Sequence, residues 1–164
     1  MKYITLAFSL IFSACAFIQQ DAPDCAEHSE NSWGQHYSQA YYDSEIKNID
    51  SAKAEIKAAI RATAKFKYND WRVIETYDDA AYYFYLSNDF YQATRYQATA
   101  VLLAWNETAH TALYDTYVGR LKKTFAKYDS TFVVDEVSKN PAILLKEDRL
   151  KLAENVHVKR KFGK

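Results

Sequence analysis

The stretch WRVIETYDDAAYYFYLSNDFYQATRYQATAVLLA, residues 71–104, decides the fold class. It contains neither Gly nor Pro, and Trp71, Ile74, Tyr77, Ala81 and Phe84 recur at the three- and four-residue steps of one helix face. Asn69-Asp70 stands in front with side-chain oxygens for the first free backbone N–H groups, so a helix is predicted from Trp71 to Leu86. Ser87-Asn88-Asp89 then supplies side chains that compete for backbone hydrogen bonds, and Asp89 caps a following helix that starts at Phe90. The inner face of that helix is expected to hold Ala93, Gln97, Ala100, Val101, Ala104 and Trp105.

The same composition extends outward. Residues 35–118 hold no Gly and no Pro, and the whole chain of 164 residues has three Gly and two Pro. Average usage is roughly 12% for the pair, so the turn punctuation of sandwiches, barrels and hairpins is missing and an all-β fold is excluded. Upstream, Ile46, Ile49, Lys53, Ile56, Ile60 and Thr63 mark one buried stripe with Ala52 and Ala59 beside them, and Tyr37 and Tyr41 extend it backwards. Asp50-Ser51 either caps a new helix within this stripe or lies inside a longer one. Downstream, the periodicity runs through Thr108, Ala112, Val118, Leu121 and Phe125 with a break near Asn106 or Gly119. Thr131-Phe132-Val133-Val134 is too short and solitary for a sheet and reads as an extended connector. Asn140-Pro141 gives a cap and a first-turn proline for a final helix over residues 142–155. The expectation is an all-α fold, an antiparallel helical bundle or helical-hairpin array of about four helices over residues 35–156.

The first residues have a separate logic. Met1-Lys2 precedes an apolar run from Tyr3 that reaches Phe12 and ends in Ser13-Ala14-Cys15. A run of about ten residues is too short for a bilayer core that needs about twenty in a helix, and a charged start with small residues at the exit is the layout of an export signal. Residues 1–14 are therefore expected to be removed. Leu10-Ile11-Phe12-Ser13-Ala14-Cys15 resembles the lipobox of bacterial lipoproteins, with Phe12 where that family usually has Leu. The resemblance implies that Cys15 becomes the lipid-carrying first residue. It also implies, because Ala16 rather than Asp follows, an outer-membrane location facing the periplasm. More than one acyl chain at about 0.8 kcal/mol per buried CH₂ makes such an anchor stable. Ala14-Cys15-Ala16 also reads as an ordinary A-x-A cleavage site that frees a soluble secreted protein.

Residues 15–34 read as a flexible acidic tether, with Asp21, Asp24, Glu27 and Glu30 and no Lys or Arg, spanning about 25 Å root-mean-square. Residues 157–164 form a basic tail with Lys159, Arg160, Lys161 and Lys164. That tail is either a loose solubilising end or a dock for anionic lipid, lipopolysaccharide or peptidoglycan acids, at about 1 kcal/mol per charge near a membrane surface. Tyr77, Ala80, Ala81 and Phe84, the Asn88-Asp89-Phe90 turn, and Ala93 and Ala100 look like one degenerate tetratricopeptide-type helical hairpin. Asn88 stands where that repeat has Gly, and Gln97 where an aromatic is common. The layout of lipobox, tether and helical hairpin is also similar to that of small helical lipoproteins, which implies a location and no chemistry.

The chain carries 21 basic and 21 acidic side chains and so has no net charge, which argues against a general nucleic-acid binder. With Cys15 lipidated, Cys25 is left without an internal disulfide partner, and Cys25-x-x-His28, even with His36, falls short of the four closed ligands of a structural zinc site. The acid pairs Asp78-Asp79, Asp135-Glu136 and Glu147-Asp148 read as solvated faces, because adjacent residues point to different sides of a helix. No catalytic residue, metal ligand, cofactor or small-molecule substrate is assigned. Fourteen Tyr include Tyr82, Tyr83, Tyr85, Tyr91 and Tyr96, which surround their helices so that not all can face one core. They either sit at core edges with the hydroxyl in water or contact a partner, and these five are the candidate partner-binding residues.

The expected function is that of a non-enzymatic, lipid-anchored envelope lipoprotein with a protein partner; the alternative is an envelope glycan or lipopolysaccharide binder. Growth with a labelled fatty acid tests the anchor: label enters the native protein and is lost in the Cys15→Ser variant, and a variant that still takes up label rules the lipobox out.

Overall fold

The computed structural model describes residues 25–131 and 136–163. Residues 1–14, Cys15, the first part of the expected tether, the connector at residues 132–135 and Lys164 lie outside them. The described residues form α1 (Cys25–Glu45), α2 (Ile49–Ala62), α3 (Trp71–Leu86), α4 (Phe90–Ala104), α5 (Thr111–Tyr128) and α6 (Val156–Phe162), joined by short 3₁₀ turns and without a strand. The all-α expectation holds. None of these helices is long and apolar enough to cross a membrane.

α3 begins and ends where the sequence places it and α4 begins there, while α4 ends at Ala104, so that of the two breaks expected, near Asn106 or Gly119, the first is the real one. Asp70 accepts from the Arg72 N–H at 3.0 Å, and Asp89 accepts from the Gln92 N–H at 3.1 Å. Between them Asn88 adopts a left-handed φ of 61°; its N–H bonds Tyr85 O, and the Asp89 N–H bonds Phe84 O, each at 3.0 Å. That pair of reversed bonds ties off the last carbonyls of α3. The turn from α1 to α2 repeats it. Lys47 has φ 62°, its N–H bonds Ser44 O at 3.0 Å, and the Asn48 N–H bonds Asp43 O at 2.8 Å. The apolar stripe does not reveal this break, yet Asn48 is the cap of α2, accepting from Ser51, and Asp50 sits in its first turn. The chain thus makes two hairpins with one turn geometry.

The hairpins stack so that α1, α3 and α5 run parallel in register. Tyr37 meets Asp79, Glu75 meets Tyr117 and Asp78 meets Arg120, each pair 42 residues apart in sequence, and Trp33 meets Thr76 at a separation of 43. Alanines occupy the close approaches: Ala40, Ala52, Ala59, Ala80 and Ala93 are fully buried around Ile56, Tyr83 and Phe84. A second core holds Ile74, Tyr77, Leu102, Leu121 and Phe125 with the apolar residues of the C-terminal segment.

Four boundaries differ from expectation. The tether does not reach residue 34, because α1 starts at Cys25 and Trp33 packs into the fold: its Nε1–H donates to Thr76 Oγ1 at 2.9 Å, and its ring stacks on Tyr37 at 4.9 Å. Tertiary burial of one Trp overrides the polar composition around it. Residues 142–155 form successive 3₁₀ turns, Pro141–Lys146, Asp148–Leu150 and Leu152–Glu154, in place of one helix. Leu144, Leu150 and Leu152 are all buried, and Lys151 at φ 51° redirects the chain so that each reaches the core. Nor are residues 157–163 a loose tail. They lie mostly in α6, where His157 and Val158 are buried, and the Lys161 ammonium donates to Leu103 O at 2.7 Å, to Trp105 O and to the Glu107 carboxylate at 2.9 Å. A cation there satisfies carbonyls at the C-terminal end of α4. The described residues form six α-helices instead of about four, because α1 and α2 divide at Lys47 and α6 closes the C-terminal end.

The lock on α6 has a titratable centre. Thr63 Oγ1 donates to Ile60 O at 2.7 Å, so it accepts from His157 Nε2–H at 3.1 Å, which leaves the buried His157 Nδ1 as a lone pair without a partner. The ring stands edge-on to Tyr77. Burial, with Arg160 nearby, pulls the imidazole from its ordinary 6.5 down to about 4. The folded state therefore binds fewer protons than the unfolded chain between those values, and stability falls as pH drops from 6.5 to 4. The expected contribution is up to about 1.4 kcal/mol per pH unit. Urea melts across this window check it: His157→Gln has the flatter pH profile, and equal slopes in both proteins contradict the assignment.

Candidate functional site

The α1, α3 and α5 face is organised by acids on α3. Glu75 and Asp79 are one helical turn apart, and each receives a phenol proton from a flanking helix: Tyr117 OH donates to Glu75 Oε1 at 2.6 Å, and Tyr37 OH donates to Asp79. Burial, reinforced by the neighbouring carboxylates, pushes both phenols well above the ordinary tyrosine range. Burial also raises Asp79, against the lowering effect of the Tyr37 hydrogen bond and with a further push from Glu75. His110 Nδ1 lies 3.5 Å from the Tyr117 hydroxyl. Asp78 points to the other side and is only 1% exposed, held by Gln97 Nε2 at 2.8 Å and by the Arg120 guanidinium. The solvated-face reading of Asp78-Asp79 is therefore corrected: flanking helices cover both, Asp78 fully and Asp79 in part. Glu147 is likewise held, by Arg149, which also contacts Asp129, and hydrogen bonds from Thr131 first and Arg149 second lower the Asp129 carboxyl to about 2.

Beyond the Asp78–Arg120 contact, α3 and α5 stand apart around a cleft of about 560 Å³. The register brings small residues, Ala81 and Thr124, to that level, while Tyr82, Tyr85 and Lys123 rise around it and Gln97 from α4 lies beneath. Its lining offers ring faces, hydroxyls, an amide and an ammonium, the groups with which a surface holds a polar chain or ring.

The five candidate tyrosines do not form one patch. Tyr82 is 55% exposed, whereas Tyr83 is 3% exposed and belongs to the core between α1 and α3. Tyr85 is half-buried, its ring 5.5 Å from Phe90. Tyr91 packs on Tyr128 and donates to Arg149 O at 3.1 Å, and Tyr96 packs between Phe84 and Tyr77. Of the basic residues, Lys159 and Arg160 are exposed, while Lys161 is enclosed. Tyr41 and Ile46, expected on the buried stripe, are instead 60% and 55% exposed, as is Trp71 of the α3 stripe at 55%, and Tyr42 beside Tyr41 is 58% exposed. Tyr41 and Tyr42 lie in the last turns of α1 and Ile46 in the turn that follows it, where the chain reverses and the apolar stripe loses contact with the core.

Against models of known protein families, curated proteins and solved structures, the chain has no match.

Arg120→Met leaves the buried Asp78 carboxylate without its cation, and the expected loss is about 3 kcal/mol of folding stability. Denaturant melts of Arg120→Met, Asp78→Asn and the double variant check this. The double variant is expected to lose less than the sum of the two singles, and strict additivity contradicts the pairing.

Proposed function

We propose that the protein is a non-enzymatic, lipid-anchored module of a bacterial envelope, at the outer membrane and facing the periplasm, that holds a protein partner on its helical array. The anchor reading rests on the lipobox-like run ending in Cys15. The partner reading rests on one observation above all. Helices α1 and α3 bury their alanine faces against α2 and α4 and leave Tyr41, Ile46, Tyr82 and Leu86 between 43% and 60% exposed on neighbouring helices. The Tyr82 ring lies 5.9 Å from that of Tyr83, which is buried in the core shared by α1 and α3. Rings with few rotors and a polar tip contribute large contact area at modest ordering cost, which makes such pairs effective at interfaces. The tetratricopeptide-like pattern of residues 77–102 agrees with a role in assembly, and the same residues supply the hairpin that presents Tyr82.

Photoreactive phenylalanine analogues at Tyr82 and at Tyr41, introduced one at a time in intact cells, test the reading. Discrete protein adducts are expected from both positions and none from Lys139, which is also exposed. Absence of protein adducts at both tyrosine positions contradicts the proposal.

A further inference from the structure

We propose that the cleft between α3 and α5 is a binding site for a neutral saccharide, a short chain of pyranose rings. The cleft holds about 560 Å³, within the roughly 300–1,000 Å³ of small-molecule sites. Tyr82 and Tyr85 line it from α3, three residues apart on one helix face, and Tyr82 is 55% exposed. An exposed ring offers the C–H face of a sugar a flat apolar surface. Around the rings stand groups of both hydrogen-bonding kinds. Arg120 spends Nη1 on Asp78, yet its side chain is 51% exposed, so the rest of the donor fork remains for a ligand, with the Lys123 ammonium beside it in the lining. Asp79 accepts, through the carboxylate that also takes the Tyr37 hydroxyl. Thr124 sends its hydroxyl proton to Leu121 O at 3.0 Å, which leaves its lone pairs as acceptors.

The floor of the cleft carries the second observation. Gln97 is only 2% exposed, yet it belongs to the lining. Its Nε2 donates to Asp78 Oδ1 at 2.8 Å and to Tyr117 O at 3.4 Å. Both partners are acceptors, so the orientation of the amide is fixed, and Oε1 is left without a donor among the described residues. A carbonyl oxygen in so enclosed a place is costly unless it is hydrogen-bonded, and a ligand hydroxyl supplies the missing donor. Charge selects further. An anionic ligand meets the Asp79 carboxylate, and a cationic one meets Arg120 and Lys123. A wholly apolar ligand strips water from these groups and returns none of their hydrogen bonds. A ring with a C–H face and hydroxyls that both donate and accept satisfies the tyrosines and the polar groups together.

The site shares Tyr82 with the face assigned to the protein partner and otherwise does not depend on that reading. Calorimetric titration of the purified full chain, with no other protein present, keeps the two apart. The neutral probes are chitotriose and maltotriose; the trimers of glucosamine and of galacturonic acid carry ammonium groups or carboxylates on comparable rings. One or both neutral trimers are expected to bind, and more tightly than either charged trimer. Tyr82→Ala should weaken that binding about tenfold through loss of the ring face. Tyr42→Ala removes a ring that is 58% exposed and outside the cleft lining, and should leave binding unchanged. Because both rings are exposed, both variants are expected to keep the helical circular dichroism of the native chain. No binding of either neutral trimer, a charged trimer bound as tightly as they are, binding that Tyr82→Ala leaves intact, or equal loss in the two variants overturns the site, whatever protein adducts form at Tyr82 in cells.

Discussion

A carboxylate buried where helices meet must be matched by donors, and Asp78 imposes that constraint on the centre of this fold. At 1% exposure it takes a hydrogen bond from Gln97 on α4 and an ion pair from Arg120 on α5. A buried charge stripped of its partners is strongly destabilising, so α3 has to lie where both donors reach it. Glu75 and Asp79 extend the same demand to Tyr117 and Tyr37 on the flanking helices. The parallel register of α1, α3 and α5 follows: each acid on α3 meets its donor from a position 42 residues away. Apolar packing alone is less selective, since alanine faces slide past one another more readily than matched hydrogen bonds do.

Register then determines which side chains are left over. Small Ala81 on α3 and Thr124 on α5 both line the cleft between those helices. The same arrangement leaves Tyr41 and Tyr82 unburied on adjacent helices. The C-terminal segment closes the other side of the molecule. His157 against Thr63, Asn155 against Tyr77, Arg160 against Phe66 O and Lys161 against Leu103 O attach α6 to the hairpins by contacts spanning 58 to 94 residues of sequence. A segment that reads as a soluble basic end is thus part of the packed structure, and two of its charges, Lys159 and Arg160, still face outward.

The candidate sites were legible in the sequence only in part. Tyr82 was selected from the ring cluster around α3, and it is exposed; Tyr83, selected with it, is buried, because a side chain one residue further round the helix faces α1. The Asp78-Asp79 pair looked solvated since its donors lie on other helices, at Tyr37 and Arg120, where local spacing carries no information. Gln97 was visible as a polar residue in an apolar stripe, and its role as a donor to Asp78 accounts for that place.

What the sequence by itself determined is the helical class, both ends of α3 and the start of α4. Absence of Gly and Pro, apolar steps of three and four, and the caps Asp70 and Asp89 are local properties, and local hydrogen bonding is sufficient to set them. Tertiary structure alone decided that Trp33 draws residues before Gln35 into a helix, that residues 142–155 bend into 3₁₀ turns, and that α6 is locked rather than loose. Each of these depends on burying a group against an element distant in sequence. The free energy of such burial exceeds the modest per-residue preferences that a sequence displays.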